Sequence, residues 1–234
     1  MSKSINLKNH FCLAMFMAVL GLGVARADTV ALWTGTGAND TTLWTSLGPD
    51  GATIINGATA LSNGGNLTQV AFLGFGGGAS GLAAVQCPAA PSCSWTGGFT
   101  AGQTLIWTFD GANPAGPLDL FFTKPVTAAG LLLQADAPGQ FTGEVVVEFT
   151  DGTFSPVFTV DSDANGDPVF MGLMDQNGQN IKAIAFDVTN SGSNEDFAAG
   201  TLSTLSTQTV PEPGTLLLLG TGLLGLLGLA KRRL

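Results

Sequence analysis

The sequence predicts an all-β protein, an antiparallel β-sandwich of jelly-roll-like form followed by a single C-terminal transmembrane helix. Three observations carry the prediction. Apolar and polar residues alternate along short runs, those runs are bounded by Gly, Pro and Asn turns, and the one long apolar run with no charge lies at Thr215 to Ala230. No long amphipathic helix is legible before residue 210.

Taken in order, the chain begins with Lys3 and Lys8, an apolar stretch from Phe11 to Val24, and the small residues of Ala25-Arg26-Ala27. That pattern is a secretory signal peptide over residues 1–27, with Asp28 as the mature N-terminus. Cys12 and His10, the sole histidine, leave with it. The 182 residues from Asp28 to Thr209 are enough for one well-buried domain and short for two.

Within that domain Leu32-Trp33-Thr34 is echoed at Leu43-Trp44-Thr45, read as two strand fragments. Gln140 to Thr150 is the clearest strand: Phe141, Gly143, Val145, Val147 and Phe149 alternate with Thr142, Glu144, Val146, Glu148 and Thr150, so one face is buried. Further strand runs are Thr68 to Phe75, Thr104 to Phe109, Leu118 to Thr123, Val126 to Gln134, Pro156 to Val160, Val169 to Leu173, Ile181 to Val188 and Phe197 to Leu205. Asn113-Pro114, Asp151-Gly152, Asn177-Gly178 and Ser191-Gly192 punctuate them. Gly74-Phe75-Gly76-Gly77-Gly78-Ala79 formally fits a dinucleotide-binding pattern, but Pro88 truncates any following helix and no acid occurs until Asp110, so the glycine-rich Gly74 to Gly81 reads as a turn.

Charge excludes several functions. Residues 28–209 hold sixteen acids against Lys124 and Lys182, a net charge of about −14 that repels phosphate backbones and rules against nucleic acid as a partner. Without a histidine in the mature chain, neither Ser-His nor Cys-His nucleophile activation is available. Hydrolysis of glycosides needs only two carboxylates and survives as an alternative. Glu144 and Glu148 share a strand face but lie roughly 13 Å apart along it, so they read as solvated surface acids.

Candidate binding residues fall in three groups. Cys87 and Cys93 are the only cysteines left, and an exported compartment favours a local disulfide, since zinc would lack two further ligands. Trp33, Trp44 and Trp95 are stacking candidates for sugar rings, while Trp107, set in Leu-Ile-Trp-Thr-Phe, reads as core. Asp161, Asp163, Asn165 and Asp167 place oxygen-bearing side chains at alternate positions around Gly166, the first half of a calcium loop, with calcium the one cofactor the sequence suggests. Gly172 stands where such a loop ends in Glu, and the competing reading is a turn whose Asp and Asn side chains bond their own backbone.

Residues 210–234 read VPEPGTLLLLGTGLLGLLGLAKRRL. Sixteen helical residues from Thr215 to Ala230 rise roughly 24 Å, just enough to cross a membrane when the basic end snorkels. Lys231, Arg232 and Arg233 put the C-terminus on the cytoplasmic side and the domain outside, in agreement with the signal peptide. The segment resembles the PEP-CTERM sorting signal of Gram-negative bacteria, which opens on Val210-Pro211-Glu212-Pro213 and closes on an Arg-rich cluster. That resemblance implies an exosortase-type membrane protease as partner, recognition through Pro211, Glu212 and Pro213, and a link to extracellular polysaccharide. Phe141-Thr-Gly-Glu-Val-Val-Val, Val169-Phe-Met-Gly-Leu and Asp196-Phe-Ala further resemble the jelly-roll domains of exported PEP-CTERM proteins, some of them similar to carbohydrate-binding modules. Many relatives continue the last strand with Asp-Asn, whereas Gly200-Thr201 stand here, so no ligand role of that pair carries over.

The expectation is thus an exported, non-enzymatic surface or extracellular-matrix protein with a structural or glycan-binding role. A carbohydrate-active hydrolase using a carboxylate pair is the alternative.

Overall fold

The alternation over Gln140 to Thr150 forms a strand whose residues are buried at every second position, because a pleated strand sends successive side chains to opposite faces. The same rule shapes the rest of the domain. The computed structural model describes residues 29–71, 81–87, 95, 98–109, 117–178, 180–189 and 196–206. The signal peptide, the sorting segment 210–234 with its expected helix, Cys93, and the turns at Asn113-Pro114 and Ser191-Gly192 lie outside them.

In chain order the strands are β1 Val30–Leu32, β2 Asp40–Thr42, β3 Ala52–Ile54, β4 Thr59–Leu61, β5 Leu67–Ala71, β6 Leu82–Gln86, β7 Thr104–Thr108, β8 Leu118–Val126, β9 Ala128–Ala135, β10 Thr142–Phe149, β11 Phe158–Asp161, β12 Val169–Asp175, β13 Ile181–Thr189, β14 Phe197–Ala199 and β15 Leu202–Leu205. One 3-10 helix, Trp44–Leu47, is the only helix among the described residues. None there is long and apolar enough to cross a membrane.

All strand pairings are antiparallel and make two sheets. A nine-stranded sheet runs β1-β12-β9-β14-β7-β6-β3, with β15 pairing both β9 and β2, and a six-stranded sheet runs β11-β10-β13-β8-β5-β4. The fold is a β-sandwich. Its core lies between the sheets: Val145, Val147, Phe149, Ile184, Phe186, Leu118 and Leu120 from one, and Ile106, Leu131, Leu133, Met171, Leu173 and Phe197 from the other. Burying each large apolar side chain contributes roughly 1.5–3 kcal/mol, so this layer is what holds the sheets together.

Asp151-Gly152 closes the β10 hairpin as the sequence predicts. Gly152 has φ +83°, a conformation that a Cβ disfavours, and the Asp151 carboxylate accepts bonds from Thr153 N at 2.9 Å and Thr153 Oγ1 at 2.7 Å.

Three elements differ from expectation. The run Phe197 to Leu205 is two strands, because the chain changes neighbours at Gly200: β14 lies between β7 and β9, whereas β15 lies between β9 and β2. Leu43-Trp44-Thr45 is not a strand fragment, since Trp44 opens the 3-10 helix and donates its indole N–H to Gly200 O at 2.6 Å. The short strands β2, β3, β4 and β6 were not legible, because segments of three to five residues carry too little alternation and are held by their partners.

Candidate functional site

Each sheet has one face toward the core and one outward, and the two outward faces are treated differently by the chain. On the nine-stranded sheet, Leu105, Ala198 and Cys87 are buried beneath Trp95, with Val85, Phe99 and Trp107 packed against them. Trp95 meets Trp107 edge-on at 5.9 Å between ring centroids, and Trp107 stacks on Phe109 at 5.1 Å. A Cβ added at Gly98 would lie 2.7 Å from Pro168 Cγ, and one at Gly200 would lie 3.0 Å from Phe99 Cε1. Trp95 and residues 98–103 therefore cover part of this face.

Among the described residues nothing roofs the six-stranded sheet in the same way. Leu61 and Val157 on its outer side remain 59% and 58% exposed. Strand register orders what lies between them. Gln69 is opposite Phe121, Phe121 opposite Ala183, and Ala183 opposite Glu148; one step along, Ala71 is opposite Asp119, Asp119 opposite Ala185, and Ala185 opposite Val146. Glu144 faces Asp187 in the next row.

Small residues make the floor of a trough. Ala71, Ala183 and Ala185 are buried although they point outward, while the half-buried Phe121 and Val146 stand up beside them. Two hollows flank the Asp119–Ala185 pair. One of about 310 Å³ is lined by Asn56, Gly57, Gln69, Ala71, Asp119 and Phe121. The other, of about 120 Å³, is lined by Pro117, Glu144, Val146, Val157 and Asp187 among others.

Asp119 sits at the centre with an unusual electrostatic state. It is 3% exposed, and its Oδ1 has no hydrogen-bond partner among the described residues. Burial, and secondarily the negative charge of Asp187, push its pKa from 3.8 up to about 7. At neutral pH it is divided between a neutral acid, which donates a hydrogen bond, and a carboxylate. Among the described residues the lysines are Lys182, which pairs with Glu148 at 2.8 Å at the end of the Gln69–Phe121–Ala183 row, and Lys124, exposed beyond Thr123 toward the other end of β8.

The residues singled out from sequence do not gather there. Trp33 is 5% exposed, lies edge-on to Phe170 at 5.9 Å and donates to Thr36 O at 2.9 Å; Trp44 is fully buried; Trp95 is 7% exposed in the roof. None of the three offers an open face for a sugar. The order of the tryptophans is reversed, because Trp107, read as core, is the half-buried one.

In the loop between β11 and β12, the Asp163 Oδ1 accepts from Asp167 N at 2.9 Å and Asn165 N at 3.0 Å, and Asp163 Oδ2 accepts from Asn165 Nδ2 at 3.2 Å. These donors, the Asp167 amide first, hold its carboxyl below the usual range. Asp161 turns to Thr142 Oγ1 at 2.7 Å. This is the geometry of an Asx turn. Among the described residues no group of three or more acidic, Cys or His side chains is placed to hold a metal. Cys87, at the end of β6, is disulfide-bonded, and Cys93 lies outside the described residues.

Sequence reading passed over Asp119, Gln69, Phe121 and Asp187. One signal was available, since a carboxylate in Leu118-Asp119-Leu120 sits between two core positions of a strand.

Residues 209–233 match the PEP-CTERM protein-sorting motif. The chain carries a PEP-CTERM sorting signal. The residues the match covers include Pro211, Glu212, Pro213, Lys231, Arg232 and Arg233, in agreement with the sequence analysis. No curated protein matches this chain in sequence. Among solved structures it is similar to a DUF4465 family protein from Bacteroides caccae ATCC 43185, with 12% identity, a TM-score of 0.41, and 70% of this chain and 98% of that one covered. It is also similar to a mutant of CBM29-2, a family 29 carbohydrate binding module, complexed with mannohexaose, with 13% identity, a TM-score of 0.35, and coverage of 72% and 93%. A third likeness is to the catalytic domain of a GH87 alpha-1,3-glucanase in complex with nigerose, with 10% identity, a TM-score of 0.30, and coverage of 80% and 30%.

Proposed function

We propose that this is an exported protein, sorted by its PEP-CTERM signal to the cell surface or extracellular matrix, whose open sheet face binds a glycan. The trough on the six-stranded sheet supports the binding half of this reading. A sugar ring has apolar C–H faces and hydroxyl edges. The trough offers an aromatic surface at Phe121, amides at Gln69 and Asn56, and a carboxyl group at Asp119 that both donates and accepts. From β5 to β10 it crosses three strand spacings, roughly 14 Å, which suits a short stretch of a chain rather than a single small molecule.

The sorting half implies an exosortase-type protease as processing partner, acting near Pro211 to Pro213 after the membrane helix has held the domain outside. Intact-mass measurement on exported protein checks it: a chain beginning at Asp28 and ending before Leu216 is expected, and full-length protein in cells with an active sorting protease leaves a plain anchor.

Binding is tested by retention on a glycan array together with analysis of the supernatant. Phe121→Ala should cut retention tenfold or more while leaving the unfolding midpoint within a few degrees, since Phe121 lies outside the central core. Retention unaltered by Phe121→Ala removes the trough from consideration. New reducing ends would shift the assignment to the carboxylate-pair hydrolase.

A further inference from the structure

The row Gln69–Phe121–Ala183–Glu148 continues one residue further across the sheet, where an isolated bridge sets Phe154 opposite Glu148. Phe149 N donates to Thr153 O at 2.9 Å and Ser155 N to Val147 O at 3.0 Å, so Glu148 and Phe154 are a non-hydrogen-bonded pair, the arrangement that brings facing side chains closest. Directly opposite residues share a face. The outer side of the sheet therefore carries two phenyl rings in one line, Phe121 and Phe154, three strand spacings or roughly 14 Å apart. Phe121 is half-buried and Phe154 is 51% exposed.

The backbone on both sides of Phe154 is pinned. Before it, Thr153 donates to the Asp151 carboxylate through both its amide and its hydroxyl. After it, Ser155 Oγ accepts from Val147 N at 3.1 Å and donates to Pro156 O at 2.8 Å. The ring is thus presented by a fixed hairpin, and little ordering of the chain is left for binding to impose. What lies between the two rings is first small and then polar. Ala183 is buried and leaves a gap beside Phe121. Lys182 is skipped by the ladders on both sides, as in a β-bulge, and its Nζ meets Glu148 Oε1 at 2.8 Å. That pair offers a donor and an acceptor with no net charge.

Resting on the glycan reading and deepening it, we infer that the ligand is a neutral, extended glycan lying along this row, across the strands, with one ring on Phe121, another on Phe154, and hydroxyls of the units between on the Lys182–Glu148 pair. A pyranose presents an apolar C–H face to each phenyl ring. An extended chain advances about 5 Å per unit, close to one strand spacing, so the rings on the two phenyl groups are the first and last of about four. A vicinal diol uses both members of the charged pair at once, accepting from Lys182 and donating to Glu148. A uronic acid instead brings a carboxylate beside Glu148 and toward a strongly acidic domain.

The test is isothermal titration of the exported protein with cellobiose, cellotetraose, cellohexaose and a galacturonic acid tetramer. Cellotetraose should bind about tenfold or more tighter than cellobiose, cellohexaose should add little to that, and the galacturonic acid tetramer should bind about tenfold or more weaker than cellotetraose. Phe154→Ala should bring cellotetraose down to the affinity of cellobiose while leaving cellobiose binding and the unfolding midpoint unchanged, because the shorter sugar still fits on Phe121. Glu148→Gln, which keeps the shape and removes the acceptor's charge, should weaken cellotetraose severalfold. Leu32→Ala, at an exposed position on the nine-stranded sheet, should change nothing. Equal affinity for cellobiose and cellotetraose, a cellotetraose affinity that survives Phe154→Ala, or equal binding of the galacturonic acid tetramer overturns the inference, and loss of the remaining binding in Phe121→Ala then still upholds the glycan reading. Failure of every oligomer to bind overturns both.

Discussion

Asp119 and Asp187 are diagonal neighbours across the β8–β13 ladder: Asp119 pairs with Ala185, and Asp187 lies two residues further along the same strand face. Such diagonal positions stand about 7–8 Å apart, close enough in a half-buried setting for the Asp187 charge to raise the cost of ionising Asp119.

Stability should therefore fall as pH rises from about 4 to about 7. Asp119 has a folded pKa raised above its ordinary value, so the native state holds a proton that the unfolded chain has already lost. The stabilisation is complete below 3.8 and gone above about 7, a difference of at most about 4 kcal/mol. Asp136, raised by burial, acts in the same direction. Urea unfolding at pH 5 and pH 8 is the measurement. Asp119→Asn should flatten most of the difference and gain stability at pH 8, and a slope unchanged by that substitution would place the titrating group elsewhere.

Trp44 should matter for folding and not for binding. Its ring is fully buried, and its N–H serves the Gly200 carbonyl where the chain passes from β14 to β15. Trp44→Phe is expected to cost about 1–3 kcal/mol by leaving that carbonyl short of a donor, and Trp44→Ala about 3–5 kcal/mol by opening a cavity. Denaturant midpoints measure both. A Trp44→Phe protein that folds normally but no longer retains glycan would restore the stacking role that burial denies it.

The disulfide at Cys87 is proposed to close on Cys93, just after β6 in the chain. Its short loop contributes about 2–3 kcal/mol at most, less where Pro88 and Pro91 already restrain the unfolded chain. Reduction should lower the midpoint modestly and change tryptophan fluorescence, because Trp95 rests on Trp107. Mass spectrometry showing free thiols at both positions in exported protein would refute the pairing.

Asp163→Ala should lower the melting temperature even in chelator, because its carboxylate closes the turn through Asn165 and Asp167. Calcium at Asp161, Asp163, Asn165 and Asp167 has its own signature in the same experiment: a rise of a few degrees in about 1 mM calcium, absent with magnesium and abolished in Asp163→Ala. Equal midpoints of the native protein in calcium, magnesium and chelator leave the turn alone.

By itself the sequence determined the all-β class, most of the long strands, the Asp151-Gly152 hairpin and the sorting signal at residues 209–233. Each is written locally: two-residue alternation along one strand, a glycine beside an aspartate, an uncharged run between prolines and arginines. What only the tertiary structure decided is which outward face is covered among the described residues and what meets on the other. Asp119 acquires its raised pKa from burial between paired strands and secondarily from Asp187, and its hollow from Gln69 and Asn56, which arrive on other strands and turns. Trp33, Trp44 and Trp95 carry the same side chain, yet one packs against Phe170, one fills the core and one roofs the opposite sheet. Burial is a property of pairing between distant segments, and the period of a strand states that a residue points outward without stating what lies above it.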